Sequence, residues 1–518
     1  IARAEEVGDL LAPLRKEGKQ VYCHGDGFSN ATLLAAARGC SKIWVSPAGD
    51  VESIGMALQV VYFHKLLAEE LHLTIDFLQV GKFKGAEESF TRDGPSDEAR
   101  ASLEGTLGDM RRVWLEGLRE GRGHDEVADA AEDGPYSPEA AKGRGLIDEV
   151  GYADDVLNAA KKASGAVREE FRFGKGAAQR EDELADVVRL LAGTRSAEAP
   201  IALIRASGSI GMAPGGSLLG GESGITEREM SRLLSRVEKD DAIKALVVRI
   251  DSPGGSALAS DLIWHEMRKV RAKKPIVISV GGMAASGGYY ISSAANQIIA
   301  EPASILGSIG VVGGKIAFGE ALEKIGVHSE TFAAKKAPGA AARAASSSAL
   351  TAWDDPTRAK ILETMTGIYS LFLARVAEGR GTTPDKIAPF AEGRLFSGAQ
   401  AKEHGLVDEL GGLHDAVAKA RELAGLPADA AVAAITSKGG LIEVLEGAGG
   451  EDDPESAEAP VKGLAKAAEE RALHAQVRGA TQAVGSFAPE LVPYVTSLGA
   501  LAEGETALTT LPFALVVR

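Results

Sequence analysis

Cysteine is scarce in this chain: Cys23 and Cys40 are the two in 518 residues. That excludes a disulfide-rich scaffold and the usual cysteine-based zinc sites. The expected state of the pair is two buried thiols, with a single bridge as the alternative. Aromatic residues make up 5% of the chain, so its cores are built from Ala, Leu, Ile and Val. Positive charge is in deficit, with 57 Lys and Arg against 73 Asp and Glu and a net charge of −16. A surface of that sign argues against a nucleic-acid partner, because phosphate needs a basic face. No stretch reads as a membrane span or signal peptide. The nearest is the charge-free run Pro275–Ala300, but its two Gly-Gly pairs and several serines read as buried strand, turn and helix. The chain begins at Ile1 rather than Met, and any targeting or anchoring segment is expected upstream of it.

Glycine, by contrast, is abundant, at 62 residues, and the chain resembles itself. KIWVSPAGDVESIGM (Lys42–Met56) matches QIIAEPASILGSIGV (Gln297–Val311) at an offset of 255. YSPEAAKGRGLIDEVG (Tyr136–Gly151) matches FSGAQAKEHGLVDELG (Phe396–Gly411) at 260, and LHLTIDF (Leu71–Phe77) fits IGVHSET (Ile325–Thr331) at 254. Matches in one order at nearly one offset indicate a duplicated domain. Short apolar runs (IALIRA, ALVVRID, PIVISV) alternate with helical patterns (DLIWHEMRKVRAK, GGYYISSAANQ), which implies an α/β fold. The first copy begins at the helix matching Ser256 onward, so its opening strands are expected to be missing. The resulting division is a truncated N-terminal repeat over 1–164, a charged, part-helical connector over 165–200 and a C-terminal repeat over 201–427. A variable segment and acidic linker follow over 428–460, and then a tail over 461–518 that matches neither copy. Ala337–Leu350 is Ala/Ser-rich and expected to be mobile.

Three segments can carry chemistry. RIDSPGGSA (Arg249–Ala257) follows a strand and opens a helix. Pro253, Gly254 and Gly255 let the backbone turn sharply and aim N–H groups into a cleft, where they can hold an oxyanion; an ordinary strand-to-helix loop has the same look. In GGMAASGGYY (Gly281–Tyr290), Ser286 stands on a small-residue turn before a helix. There the helix dipole and the N–H of Gly287 favour developing negative charge. A plain helix-capping serine fits equally well. A serine nucleophile needs a base. None of the nine histidines has a catalytic surround, and each reads as a surface or packing residue. In VGKFKGAEESF (Val80–Phe90), Lys82 and Lys84 share one face if the preceding strand continues. A lysine base must be neutral. Its pKa must fall from about 10.4 toward 7–8, which costs about 4 kcal/mol against the ammonium form, and burial can supply that. Glu87 and Glu88 oppose this and are expected to point away.

Together SPGG, GGMAASGGYYIS, GSIGVVGG, VGKFKGA and HGLVDELGG resemble the signal peptide peptidase A family in its long, duplicated-domain form, over roughly Ile1–Pro427. The resemblance implies two crotonase-like ββα spiral repeats, a fold shared with the Clp protease proteolytic subunit. It implies a Ser/Lys dyad without histidine: Ser286 as nucleophile and Lys84, rather than Lys82, as base. It also implies Ser308 of GSIG hydrogen-bonding the lysine, and the N–H groups of Gly254 or Gly255 and of Gly287 as oxyanion donors. No cofactor or metal is called for. The implied substrates are remnant signal peptides and other apolar peptides. The implied setting is the bacterial cytoplasmic membrane, with an upstream anchor, the site on the extracytoplasmic side and a homotetrameric assembly. At an offset of 255 Ser286 lies opposite Ala31, and at 254 Lys84 lies opposite Pro338, so each copy lacks what the other holds. Three rivals remain on sequence grounds. They are an acyl-CoA hydratase or isomerase on a similar spiral, an α/β-hydrolase using Asp408 and His414, and an inactive scaffold.

Overall fold

The computed structural model describes residues 1–166, 199–212, 224–333 and 337–435, and the backbone of 508–509. The connector expected over 165–200 and the linker expected over 428–460 fall largely outside these residues, as does nearly all of the tail.

The front of the chain forms helix α1 (Ala2–Lys16), strand β1 (Tyr22–Ser29), helix α2 (Asn30–Gly39) and strand β2 (Lys42–Glu52). Strand β3 (Thr74–Val80), the long helix α3 (Asp97–Arg122) and strand β4 (Glu149–Val150) follow. β1, β2 and β4 make a parallel three-stranded sheet. Its core holds Leu33, Leu34, Ile43, Val45, Trp114 and Leu118. Cys23 on β1 and Cys40 after α2 form a disulfide with Cα atoms 5.9 Å apart. This corrects the expectation of two thiols. The turn from α2 into β2 returns the chain beside β1 and brings the two sulfurs together.

The back of the chain supplies β5 (Ile201–Ser207), β6 (Ile210–Gly211), β7 (Ile225–Thr226), helix α4 (Glu227–Lys239), β8 (Ala245–Ser252) and β9 (Gly255–Ser256). After these come helix α5 (Ala257–Arg271), β10 (Ile276–Ala285), helix α6 (Gly287–Ser292), β11 (Gln297–Ala300), β12 (Ile305–Gly307) and β13 (Val311–Ala317). Helix α7 (Asp355–Gly379), β14 (Leu395–Ser397), β15 (Glu409–Leu410), helix α8 (Leu413–Leu423) and β16 (Val432–Ala434) complete it. The main sheet runs β14-β12-β10-β8-β5-β16, with β11 beside β10 and β15 beside β11. β5, β8, β10 and β12 are mutually parallel neighbours. Helices cover both faces of such a sheet, which is why these strands read as unbroken apolar runs. α4 buries Met230, Leu233, Leu234 and Val237, the one-face spacing of an amphipathic helix.

One local arrangement occurs twice. Asp148 takes Arg122 at 2.9 Å and the Ile43 N–H at 2.8 Å. Asp408 takes Arg380 at 2.8 Å and the Ile298 N–H at 2.7 Å. β2–β4 and β11–β15 pair alike, and α1 and α5 are both 15 residues long, 255 positions apart. Ala337–Leu350, expected to be mobile, holds a short helix (Ala340–Ala344) and is tied down. Lys315 donates to the Ser348 carbonyl at 2.8 Å and Trp353 donates to that of Ser346 at 2.7 Å.

A second sheet joins front to back. β3 pairs antiparallel with β13 along its whole length, from Val80 opposite Val311 to Thr74 opposite Ala317. This ladder places the residues after β3 beside those before β13.

Candidate active site

The parallel strands β10 and β12 end in register, with Ala285 opposite Gly307. The next residue on each is a serine with a left-handed backbone: Ser286 has φ 54° and Ser308 φ 52°. Non-glycine residues avoid this region, and such strain collects at functional sites. The Ser286 N–H donates to the Gly307 carbonyl at 2.8 Å and the Ser308 N–H to that of Arg394 at 2.6 Å. Two hydroxyls are thereby fixed side by side at the carboxyl ends of parallel strands, where α/β sheets open their clefts. Ser286 precedes α6 but makes no side-chain cap bond, so the capping alternative fails.

The β3–β13 ladder delivers the amine. Lys84 Nζ lies 2.7 Å from Ser286 Oγ and 3.0 Å from both the hydroxyl and the carbonyl oxygen of Ser308. All three residues are 0% exposed. Burial holds the Lys84 pKa well below the ordinary lysine value, while Glu87 pulls it weakly back up. In the neutral amine two hydrogens serve Ser308, and the lone pair is left facing the Ser286 hydroxyl. Lys82 does not share this face. β3 stops at Val80, a turn follows, and Lys82 is 57% exposed beside Glu392.

Of the two acids expected to point away, Glu88 does so, accepting the Ser96 N–H at 2.8 Å. Glu87 does not. It sits on the turn after Lys84, its Oε2 is buried without a partner among the described residues, and burial pushes its carboxyl up to about 7. Of the proposed oxyanion donors, the Gly254 N–H is 3.2 Å from Ser252 Oγ. Gly255 starts β9, and Gly287 offers the first amide of α6, which has no partner within the helix. Gly288 packs so close to β8 that a Cβ there would lie 2.8 Å from the Ser252 carbonyl oxygen.

Sequence reasoning missed the segment Ala391–Arg394. The Glu392 carbonyl accepts the Phe83 N–H at 2.7 Å, and the Arg394 guanidinium stacks 3.6 Å from the Phe83 ring centroid. A Cβ on Gly393 (φ +84°) would fall 2.4 Å from Lys84 Cα. The signal was a glycine between two charged residues in AEGRLFSG, and nothing in one sequence ties that to a lysine so far upstream. The α/β-hydrolase rival loses its acid, because Asp408 is bound to Arg380 and the Ile298 N–H.

The model of peptidase family S49 matches residues 13–167 and 268–427. The chain belongs to peptidase family S49. Within this S49 chain, residues 222–306 also match the Clp protease model, a stretch that runs from β7 through β12. Protease 4 of Salmonella typhi is 33% identical over 434 residues, covering 81% of this chain and 66% of that protein. The chloroplastic serine protease SPPA of Arabidopsis thaliana is 30% identical over 433 residues, covering 82% and 61%. This S49 chain therefore spans somewhat less than two thirds of the length of these two relatives. Among solved structures, a mutant of the membrane-bound stomatin-specific protease 1510-N aligns at 14% identity with a TM-score of 0.30, over 47% of this chain and all of that one.

Proposed function

We propose that this protein is a serine peptidase in which neutral Lys84 activates Ser286. The observation that carries the reading is a fully buried amine 2.7 Å from a hydroxyl on a strained turn. Lys84 takes the Ser286 proton as the oxygen attacks a peptide carbonyl carbon. The amides of Gly287 and of Gly254 or Gly255 receive the oxyanion. Ser308 keeps the amine aimed, and the lysinium passes its proton to the leaving amine. Water then cleaves the acyl-enzyme, with Lys84 again as base.

The substrate class in this reading is apolar peptides, remnant signal peptides among them. The buried apolar cluster of Met110, Ala285, Ile305 and Leu395, with Met56 and Met283 packed against it at the end of the strand that leads into Ser286, supports it. The reading includes two copies of one crotonase-like unit, and the twice-built Arg–Asp arrangement supports that. It includes a homotetramer anchored upstream of Ile1 at the bacterial cytoplasmic membrane, with the site on the extracytoplasmic side. The Cys23–Cys40 bridge, a bond suited to an oxidising compartment, supports that side. Among the described residues no helix is long and apolar enough to cross a membrane.

The test is hydrolysis of a quenched fluorescent apolar peptide, together with labelling by a fluorophosphonate. Wild type is expected to cut the peptide and label at Ser286. Ser286→Ala and Lys84→Met are each expected to lose about 10³-fold or more in kcat. Undiminished cleavage by Lys84→Met sinks the reading.

A further inference from the structure

We propose that Ser102, Thr106 and Asp109, on one face of the front helix α3, are positioning residues for the Lys84 amine, bonding strand β14 in place of a neighbouring strand; this rests on the peptidase reading above. β14 pairs antiparallel with β12, Leu395 opposite Gly307 and Ser397 opposite Ile305. It ends its sheet, and among the described residues no strand lies on its other side. A strand edge presents N–H and C=O groups that need partners once buried. α3 supplies them from positions i, i+4 and i+7, which share one helix face. The Leu395 N–H donates to Ser102 Oγ at 3.1 Å. The Thr106 hydroxyl lies 3.2 Å from the Leu395 carbonyl oxygen and 2.9 Å from that of Ser102, so its hydrogen is shared between them. The Ser397 hydroxyl donates to Asp109. Leu395 and Thr106 are each 6% exposed, which leaves little room for water to replace these bonds.

From Leu395 the path to the dyad is short. Both polar groups of Leu395 turn toward α3, so β14 bonds β12 through the neighbouring residue, as alternate pairs of an antiparallel ladder do. The Arg394 carbonyl accepts the Ser308 N–H at 2.6 Å. Ser308 in turn offers its hydroxyl and its carbonyl oxygen to Lys84 Nζ, each at 3.0 Å. The Gly307 carbonyl, across from Leu395, accepts the Ser286 N–H at 2.8 Å. A shift of β14 relative to α3 therefore reaches both the amine and the nucleophile. The same helix adds Leu103 and Met110 to the apolar cluster that contains Ala285, the residue before Ser286. The front of the chain thus meets the site twice: the β3–β13 ladder brings the amine, and α3 fixes the strand edge behind the serine that receives it.

The test is Thr106→Val in the full chain, which keeps the side chain's shape and removes its hydroxyl. Turnover of the fluorescent peptide, counted per fluorophosphonate-labelled site, should fall about tenfold in kcat through a sub-ångström displacement of the amine. KM should stay within about twofold, because this face makes its bonds to β14 and not to substrate. Thr106→Ser restores the hydroxyl and should return kcat to within about twofold of wild type. Ser102→Ala removes only the acceptor of the Leu395 N–H; it should show the same split at smaller size, and it carries the test if Thr106→Val does not fold. Hydrogen exchange gives a readout that needs no turnover. The peptide containing Ser308 should exchange faster in the Thr106→Val and Ser102→Ala variants than in wild type, while peptides from α4 should not. An unchanged kcat per labelled site, a loss confined to KM, or a loss that Thr106→Ser does not restore overturns the proposal and leaves the face a role in stability alone. If exchange at Ser308 rises while wild type cuts no peptide, the peptidase reading fails and the coupling of α3 to Ser308 stands. If wild type cuts peptide and neither variant alters kcat or exchange, the positioning inference alone fails.

Discussion

Ser29 and Ser286 stand at the same kind of junction, each where a parallel strand gives way to a helix. Ser29 has an extended backbone (φ −83°, ψ 172°) and closes a capping box with Thr32. Ser286 has φ 54° and ψ −115°, makes no cap bond and faces an amine. The self-match places Ala31 opposite Ser286, but in space the front junction carries Ser29 two residues earlier. Residue type is therefore shared between the two junctions, and backbone conformation and surroundings are not. At the front the hydroxyl satisfies its own helix. At the back the helix start is left open, and a lysine from the other region reaches the oxygen. A serine becomes a candidate nucleophile when its local bonds are withheld and a buried base is brought to it.

The strongest way to break that contrast is through the packing that positions the base. Gly393→Ala puts a methyl 2.4 Å from Lys84 Cα and should displace the amine by an ångström or more. Peptide hydrolysis should fall about 100-fold or further, with the protein still folded by circular dichroism. Activity within a few-fold of wild type would show that the amine's position is not what matters.

A smaller effect is expected at the front junction. Ser29→Ala removes an N-cap and should cost about 1 kcal/mol in unfolding by denaturant, with kcat/KM unchanged. Loss of activity there would mean that the two junctions are not divided in role as described.

The mildest effect sharpens the electrostatics. Activity needs neutral Lys84, so kcat/KM falls as pH drops through the lysine's lowered pKa. Glu87, when ionised above about 7, raises that pKa. Glu87→Gln should therefore move the acid limb to lower pH by a fraction of a unit. A limb that stays put, or moves to higher pH, excludes Glu87 as a tuning group.

Much of the architecture was legible in the chain. The buried strands announced themselves as apolar runs, because helices cover both faces of the main sheet. The strand-turn-helix context of Ser286 was visible in GGMAASGG, since only small residues fit where α6 packs on the end of β8. Residue spacing left Lys82 and Lys84 level, and resemblance separated them. Space separates them because the strand ends at Val80 and the chain turns. The partner role of Ala391–Arg394, the Cys23–Cys40 bridge and the inward Glu87 left no local trace. Each depends on which segments lie side by side.

Composition and pattern by themselves indicated the α/β class and the short set of residues able to do chemistry. These follow from periodicity, charge and side-chain type, which are local properties. Only the tertiary structure decided that an amine and a hydroxyl 202 residues apart would touch. That contact comes from the β3–β13 ladder and the β10–β12 register, and hydrogen-bonded register between distant strands is a property of the whole packed chain.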